Sequence, residues 1–113
     1  MKYMMIHYID ESVVPPDGEA FPGEEQELDA WDAEMEGRGI LVGGGRLRPA
    51  GETVTIRKRR GEVLISDGPF TETKEQIAGY GILECASLDE AIEVSSRHPT
   101  AKFGTFELRP YWE

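Results

Sequence analysis

Residues 3–9 alternate as Tyr3, Met5, His7 and Ile9 on one side and Met4, Ile6 and Tyr8 on the other, and both sets are largely apolar. A strand with this pattern leaves neither face to water, so it needs cover on both sides. That requirement limits the architectures open to the chain. One layer of helices covers one face, and the second cover must come from another sheet. A homodimer is therefore expected.

The punctuation that follows sets the element order. Ser12 to Gly23, with Pro15-Pro16-Asp17-Gly18 and Pro22-Gly23, reads as a loop of the length that often borders a site. From Glu24 the spacing of Leu28, Trp31 and Met35 is helical, with an acidic first turn that suits the helix dipole and Gly37 or Gly39 as the stop. Ile40-Leu41-Val42 reads as a buried strand running into Gly43-Gly44-Gly45. Those glycines read either as an anion-binding nest beside Arg46 or as a bulge and close backbone contact within a sheet. Thr53–Arg59 and Glu62–Ser66 form a hairpin about Arg60-Gly61. Asp67-Gly68-Pro69 is a sharp turn, because glycine tolerates positive φ and proline fixes its own. A strand around Tyr80–Cys85 follows. Ser87-Leu88-Asp89-Glu90 then fits a capping box, opening a helix whose inward stripe is Leu88, Ala91, Ile92 and Ser95 and which His98-Pro99 ends. Phe106 and Leu108 mark the last strand. The order β-α-β, hairpin, β-α-β predicts an α+β sandwich of the ferredoxin-like kind, one domain over residues 1–113, with an inserted hairpin.

Charge is segregated along the chain. Of 22 acidic residues, 11 lie in residues 10–36, where there is no Lys or Arg. Arg46, Arg48, Arg57, Lys58, Arg59 and Arg60 oppose only Glu52 in residues 46–60. With a net charge of −10 and no aromatic-interleaved basic groove, nucleic acid is not an expected partner. No apolar run approaches a membrane span, the chain opens into a strand rather than a signal peptide, and Cys85 is the only cysteine, so a cytoplasmic protein is expected.

Chemistry-bearing residues are few. His7 and His98 are the side chains whose ordinary pKa lies nearest neutrality. His7, on an apolar strand, reads as an interior histidine or a catalytic one. His98 reads as a helix-end cap or an acid–base group. Asp67 is a turn residue or a third catalytic candidate, and Asp67, Thr71, Lys74 and Arg46 are the candidate ligand contacts. Cys85 reads as a small core residue. Two distant histidines and one cysteine give no metal-ligand spacing, and the absence of nucleotide-binding glycine patterns leaves no cofactor expected.

Asp67-Gly68-Pro69-Phe70 with Thr71-Glu72-Thr73-Lys74-Glu75 resembles the signature of DGPF-domain proteins, a branch of the YCII-related family. The resemblance extends through Lys2–Ile6, the run at 39–44, Gly79-Tyr80, Leu88–Ala91 and Glu107–Pro110. It implies a dimeric α+β barrel in which two sheets face each other. It also implies two functional classes: a small-molecule enzyme or binder using a cleft, or a regulatory module linked to sigma-factor-dependent transcription. Members of the wider family carry a proposed catalytic His near the start of the first helix and an Asp before the proline that ends the second. Those places hold Gln26 and His98 here, so that chemistry is not expected to carry over.

Overall fold

The computed structural model describes residues 1–13 and 24–113. The long loop expected at 12–23 therefore lies almost wholly outside the described residues, apart from a single 3-10 turn at Glu11–Val13. The elements are β1 (Lys2–Asp10), α1 (Glu24–Gly37), β2 (Leu41–Arg46), β3 (Val54–Arg59), β4 (Glu62–Asp67), β5 (Glu75–Glu84), α2 (Leu88–Ser96) and β6 (Thr105–Pro110). Strands β2-β5-β1-β6 form an antiparallel sheet, and β3-β4 form a separate two-stranded sheet. This is the ferredoxin-like arrangement with a hairpin inserted between β2 and β5.

Local chemistry explains most boundaries. Helix α1 ends as a Schellman motif: Gly39 takes φ 73°, its N–H donates to the Glu36 carbonyl, and the Ile40 N–H donates to Met35 at 2.9 Å. Met35 and Ile40 are both buried, supplying the apolar contact that usually accompanies this cap. The hairpin turns on Arg60 and Gly61, both at positive φ, as its two-residue length requires. Ser87 accepts the Glu90 N–H at 3.1 Å, while the Glu90 carboxylate reaches back to the Ala86 N–H at 3.0 Å. The inward stripe of α2 departs from the expected one. Ala91, Val94 and Ser95 are buried and His98 continues their line, whereas Leu88 in the first turn and Ile92, about 100° off the stripe, are half exposed.

The core gathers Tyr3 and Met5 of β1, Trp31 and Met35 of α1, Ile40, Leu83, Cys85, and Ala91 and Val94 of α2. Both helices thus cover the face of β1 that bears the odd-numbered residues. The Trp31 indole donates to the Val94 carbonyl at 2.9 Å, tying the helices together beneath ion pairs from Glu34 to Arg97 and Glu27 to Lys102. On the other face Met4, Ile6 and Tyr8 of β1 and Tyr80 and Ile82 of β5 are only half-buried. Among the described residues no helix is long and apolar enough to cross a membrane.

Candidate functional site

Sheet register builds a site from residues far apart in sequence. Strand β5 lies between β1 and β2, so a single row across the sheet reads Arg46 (β2), Gly79 (β5), His7 (β1) and Phe106 (β6). The next row reads Gly44, Gly81, Met5 and Leu108. Glycines at the β2 and β5 positions let neighbours close in: the Met5 methyl and Leu41 pack over Gly81, and the His7 ring and Gly45 carbonyl lie over Gly79. Helix α1 spans this strip. Between them lies a cleft of about 1070 Å³, lined by His7, Trp31, Leu28, Asp29, Asp32, Glu36, Arg46, His98 and the glycine backbone.

Gly44 shows how tightly the floor is built. It takes φ 141°, and a Cβ there would run into the Tyr80 carbonyl, so β2 lies close against β5. The register shift between Leu41 and Gly43 is the bulge that accommodates this contact. Of the two readings of the glycine run, the structure shows the close backbone contact within a sheet.

His98 is placed by its neighbour. A residue before proline is pushed out of the helical region, and His98 accordingly sits at φ −66°, ψ 131°. Its Nδ1 accepts the Thr100 N–H at 3.1 Å, which leaves the proton of the neutral ring on Nε2. The ring then meets His7 edge-on at 4.9 Å, Trp31 at 4.7 Å and Phe106 at 5.0 Å, while His7 stacks on Phe106 at 4.3 Å. Burial lowers the pKa of His7 to about 4. Burial also lowers that of His98 to about 4, assisted by the charge on His7. Both rings are neutral at neutral pH. The Nε2 of His7 is buried and has no hydrogen-bond partner among the described residues. Such an atom costs free energy unless something satisfies it, and Ser95 Oγ of α2 is in the same position.

Across the cleft, burial raises the pKa of Asp32, and its neighbours Glu36 and Asp29 add to the shift. Away from the cleft, Cys85 is buried and its thiol is pushed up by burial, as befits a core residue rather than a nucleophile.

A family model for the YCII-related domain matches residues 1–113. The chain belongs to the YCII-related family. It is 37% identical over 119 residues to an uncharacterised protein, R00369, of Rhizobium meliloti strain 1021, covering 97% of this chain and 91% of that protein. Its fold is similar to that of a 5-chloro-2-hydroxyhydroquinone dehydrochlorinase from Burkholderia phenoliruptrix AC1100, solved in complex with 2,5-dihydroxybenzoquinone. That likeness has a TM-score of 0.50 and 17% identity, over 99% of this chain and 94% of the other.

Within this YCII-related chain, the sequence-derived candidates divide into two groups. The cleft brings together His7, His98 and Arg46. Asp67, Thr71 and Lys74 lie outside it. Asp67 ends β4 opposite Val54 and is exposed. Thr71 is exposed, and its carbonyl accepts from the Gln76 amide at 3.0 Å. Lys74 lies 3.6 Å from Asp10, beside a separate shallow depression lined by Tyr8, Thr105 and Glu107. Gln26, at the position of the wider family's histidine, is exposed on α1. Sequence reasoning passed over Gly79, Gly81 and Asp32 as site residues. The Gly79-Tyr80-Gly81 alternation was the available signal, since two glycines on one face of a strand mark a place where neighbouring groups approach closely, here His7 and Met5.

Proposed function

We propose that this YCII-related protein binds, as a homodimer in the cytoplasm, a small flat ring molecule carrying an acidic oxygen, in the cleft between α1 and the sheet. The observation that carries this reading is the convergence of buried His98, half-buried His7 and Arg46 on one cleft, with both imidazoles held neutral. Gly44, Gly79 and Gly81 contribute only backbone to the cleft lining, and the Met5 methyl and Leu41 side chain pack over Gly81. In this pose Arg46 neutralises the acidic oxygen. His98 offers the N–H on its Nε2, and the unsatisfied nitrogen of His7 gains a partner. Of the two, only His7 has a ring nitrogen free to accept a proton from a ring hydroxyl, because the Nδ1 of His98 is held by the Thr100 N–H. The structurally similar dehydrochlorinase holds 2,5-dihydroxybenzoquinone, a molecule of the same shape and acidity. The homodimer is supported by the half-buried apolar face of Met4, Ile6, Tyr80 and Ile82, and the cytoplasmic location by the lone, buried Cys85.

The test is a thermal-shift and calorimetric screen of phenols, hydroxyquinones and aromatic carboxylates, run beside unbiased mass-spectrometric identification of whatever co-purifies. Members of these classes should stabilise the protein, with binding weakened roughly tenfold or more in Arg46→Met, as loss of a charge-assisted hydrogen bond implies. A ligand that binds Arg46→Met and His98→Asn as well as it binds the natural protein would place the site elsewhere. Sedimentation as a compact monomer at micromolar concentration would end the dimer.

A further inference from the structure

The β3–β4 hairpin presents two unlike faces. On one, the cross-strand rows Thr55/Ser66, Arg57/Leu64 and Arg59/Glu62 are braced by the signature stretch. Thr55 Oγ1 donates to the Gly68 carbonyl at 2.7 Å, and the Arg57 guanidinium lies 4.3 Å over the Phe70 ring. The turn at Gly68, with φ 92°, is what folds Phe70 back against this face. The opposite face, made by the rows Val54/Asp67, Ile56/Ile65 and Lys58/Val63, has no such brace among the described residues. Its four aliphatic side chains are 54%, 68%, 68% and 56% exposed for Val54, Ile56, Ile65 and Val63. A two-stranded hairpin is marginally stable in water on its own, and a bare aliphatic patch on it calls for a partner. The hairpin also forms a sheet of its own rather than joining the main one, and the radius of gyration, 15.9 Å, exceeds the about 13 Å of a compact chain of this length.

The pattern on the bare face identifies the partner. Ile56 and Ile65 sit at its centre, Lys58 lies near the turn, and Asp67 lies at the base. A copy rotated by 180° about the central row lays apolar centre on apolar centre and sets the Lys58/Val63 row over the other chain's Val54/Asp67 row, so each Lys58 lies about one strand spacing, roughly 4.8 Å, to the side of the other chain's Asp67. Such a patch is complementary to itself, as a two-fold interface must be. Lys58 makes no ion pair among the described residues, and neither does Asp67. Area points the same way. Four strands about 4.8 Å apart and about 20 Å long give the open face of the main sheet a footprint of roughly 400 Å², short of the roughly 800 Å² per partner of a stable interface. One face of the hairpin adds roughly half as much again, bringing the footprint to roughly 600 Å² and narrowing that gap without closing it.

We propose that the β3–β4 hairpin is a dimerisation arm, docking through Val54, Ile56, Val63 and Ile65 onto the same face of a second copy of this chain, with Lys58 paired to the partner copy's aspartate at the hairpin base. The signature stretch at 67–75 then has a physical role, since it supports one face of the arm so that the other stays free to dock. This goes beyond the cleft reading and rests only on its homodimer.

Charge exchange tests it. Lys58→Glu alone sets Glu against Asp67 across the interface, and Asp67→Lys alone sets Lys against Lys58, so each variant should dimerise at least tenfold more weakly in analytical ultracentrifugation. Mixed together, the two variants restore both opposite-charge pairs and should form a heterodimer of near-natural affinity. Ile56→Lys should weaken the dimer further than either. All three changes are on exposed positions, and circular dichroism should show each variant folded. Dimer constants unaltered by all three, or single variants that weaken without rescue on mixing, would overturn the arm. A monomeric natural protein would overturn it too. Ligand binding in the cleft, followed in the same samples, separates failure of the arm from failure of the cleft reading.

Discussion

Acid should weaken this fold through its two buried histidines. Each has a pKa near 4 in the folded chain and near 6.5 when exposed. Between those values the unfolded chain binds protons that the folded chain refuses, so stability rises with pH across the window and is lost as pH falls from about 6.5 toward 4. Below that the folded rings protonate as well and the loss stops growing. Linkage puts the loss at pH 5 at about 2 kcal/mol per ring, or about 4 kcal/mol for the pair, a large part of the 5–15 kcal/mol that holds a typical domain together. The net charge of −10 works in the opposite direction, because protonating carboxylates relieves self-repulsion. The histidine contribution is therefore isolated as a difference. His98→Asn keeps an acceptor for the Thr100 N–H but removes the titrating ring. Its stability by urea titration should start below that of the natural protein at pH 7.5, because packing is lost, and then converge on it as pH falls to 5. Parallel curves for the two proteins over pH 7.5–4.5 would refute the claim that His98 is held neutral by burial.

Two further outcomes follow from the packing. Trp31→Ala should cost about 3–5 kcal/mol, since it empties buried volume and strands the Val94 carbonyl, while Trp112→Ala, fully exposed, should shift the urea midpoint negligibly. Gly44→Ala should cost about 2 kcal/mol or more by melting, against a negligible change for Gly45→Ala, where a Cβ meets open space; Gly68→Val should cost about 1–3 kcal/mol from strain at φ 92° alone.

The fold was legible because its signals are local. The Arg60-Gly61 turn, the Ser87 cap, the glycine stop after α1 and the two-faced apolar alternation of β1 each act within a few residues. Each was found where the residues put it. The stripe of α2 was less legible. Leu88 and Ile92 are as apolar as Val94, and a nine-residue helix offers too few turns for periodicity alone to choose between neighbouring stripes. The choice was made by tertiary context, through the core that receives Ala91 and Val94.

The site was legible only in its parts, because it exists through register. His7 and Arg46 are 39 positions apart and on strands that never touch. They face one cleft because β5 enters between β1 and β2 and presents Gly79 to both. Nothing short of the strand order reveals that row. His98 shows a different limit. Expected at the end of α2, whose C-cap is Arg97, His98 instead caps the start of the next turn, its Nδ1 accepting the Thr100 N–H after Pro99. That same bond fixes where the remaining proton sits and holds the ring against His7, Trp31 and Phe106. Capping and chemistry are thus not competing readings of His98. The backbone contact that stabilises the turn is what orients the ring, so a change that spares the ring but breaks the turn should disturb both together. Pro99→Gly is such a change: it frees the backbone of His98 to continue the helix. It should cost stability and, in the same measurement series, weaken any ligand that depends on His98. A Pro99→Gly protein that loses stability yet binds as before would show that the turn holds the chain without holding the site.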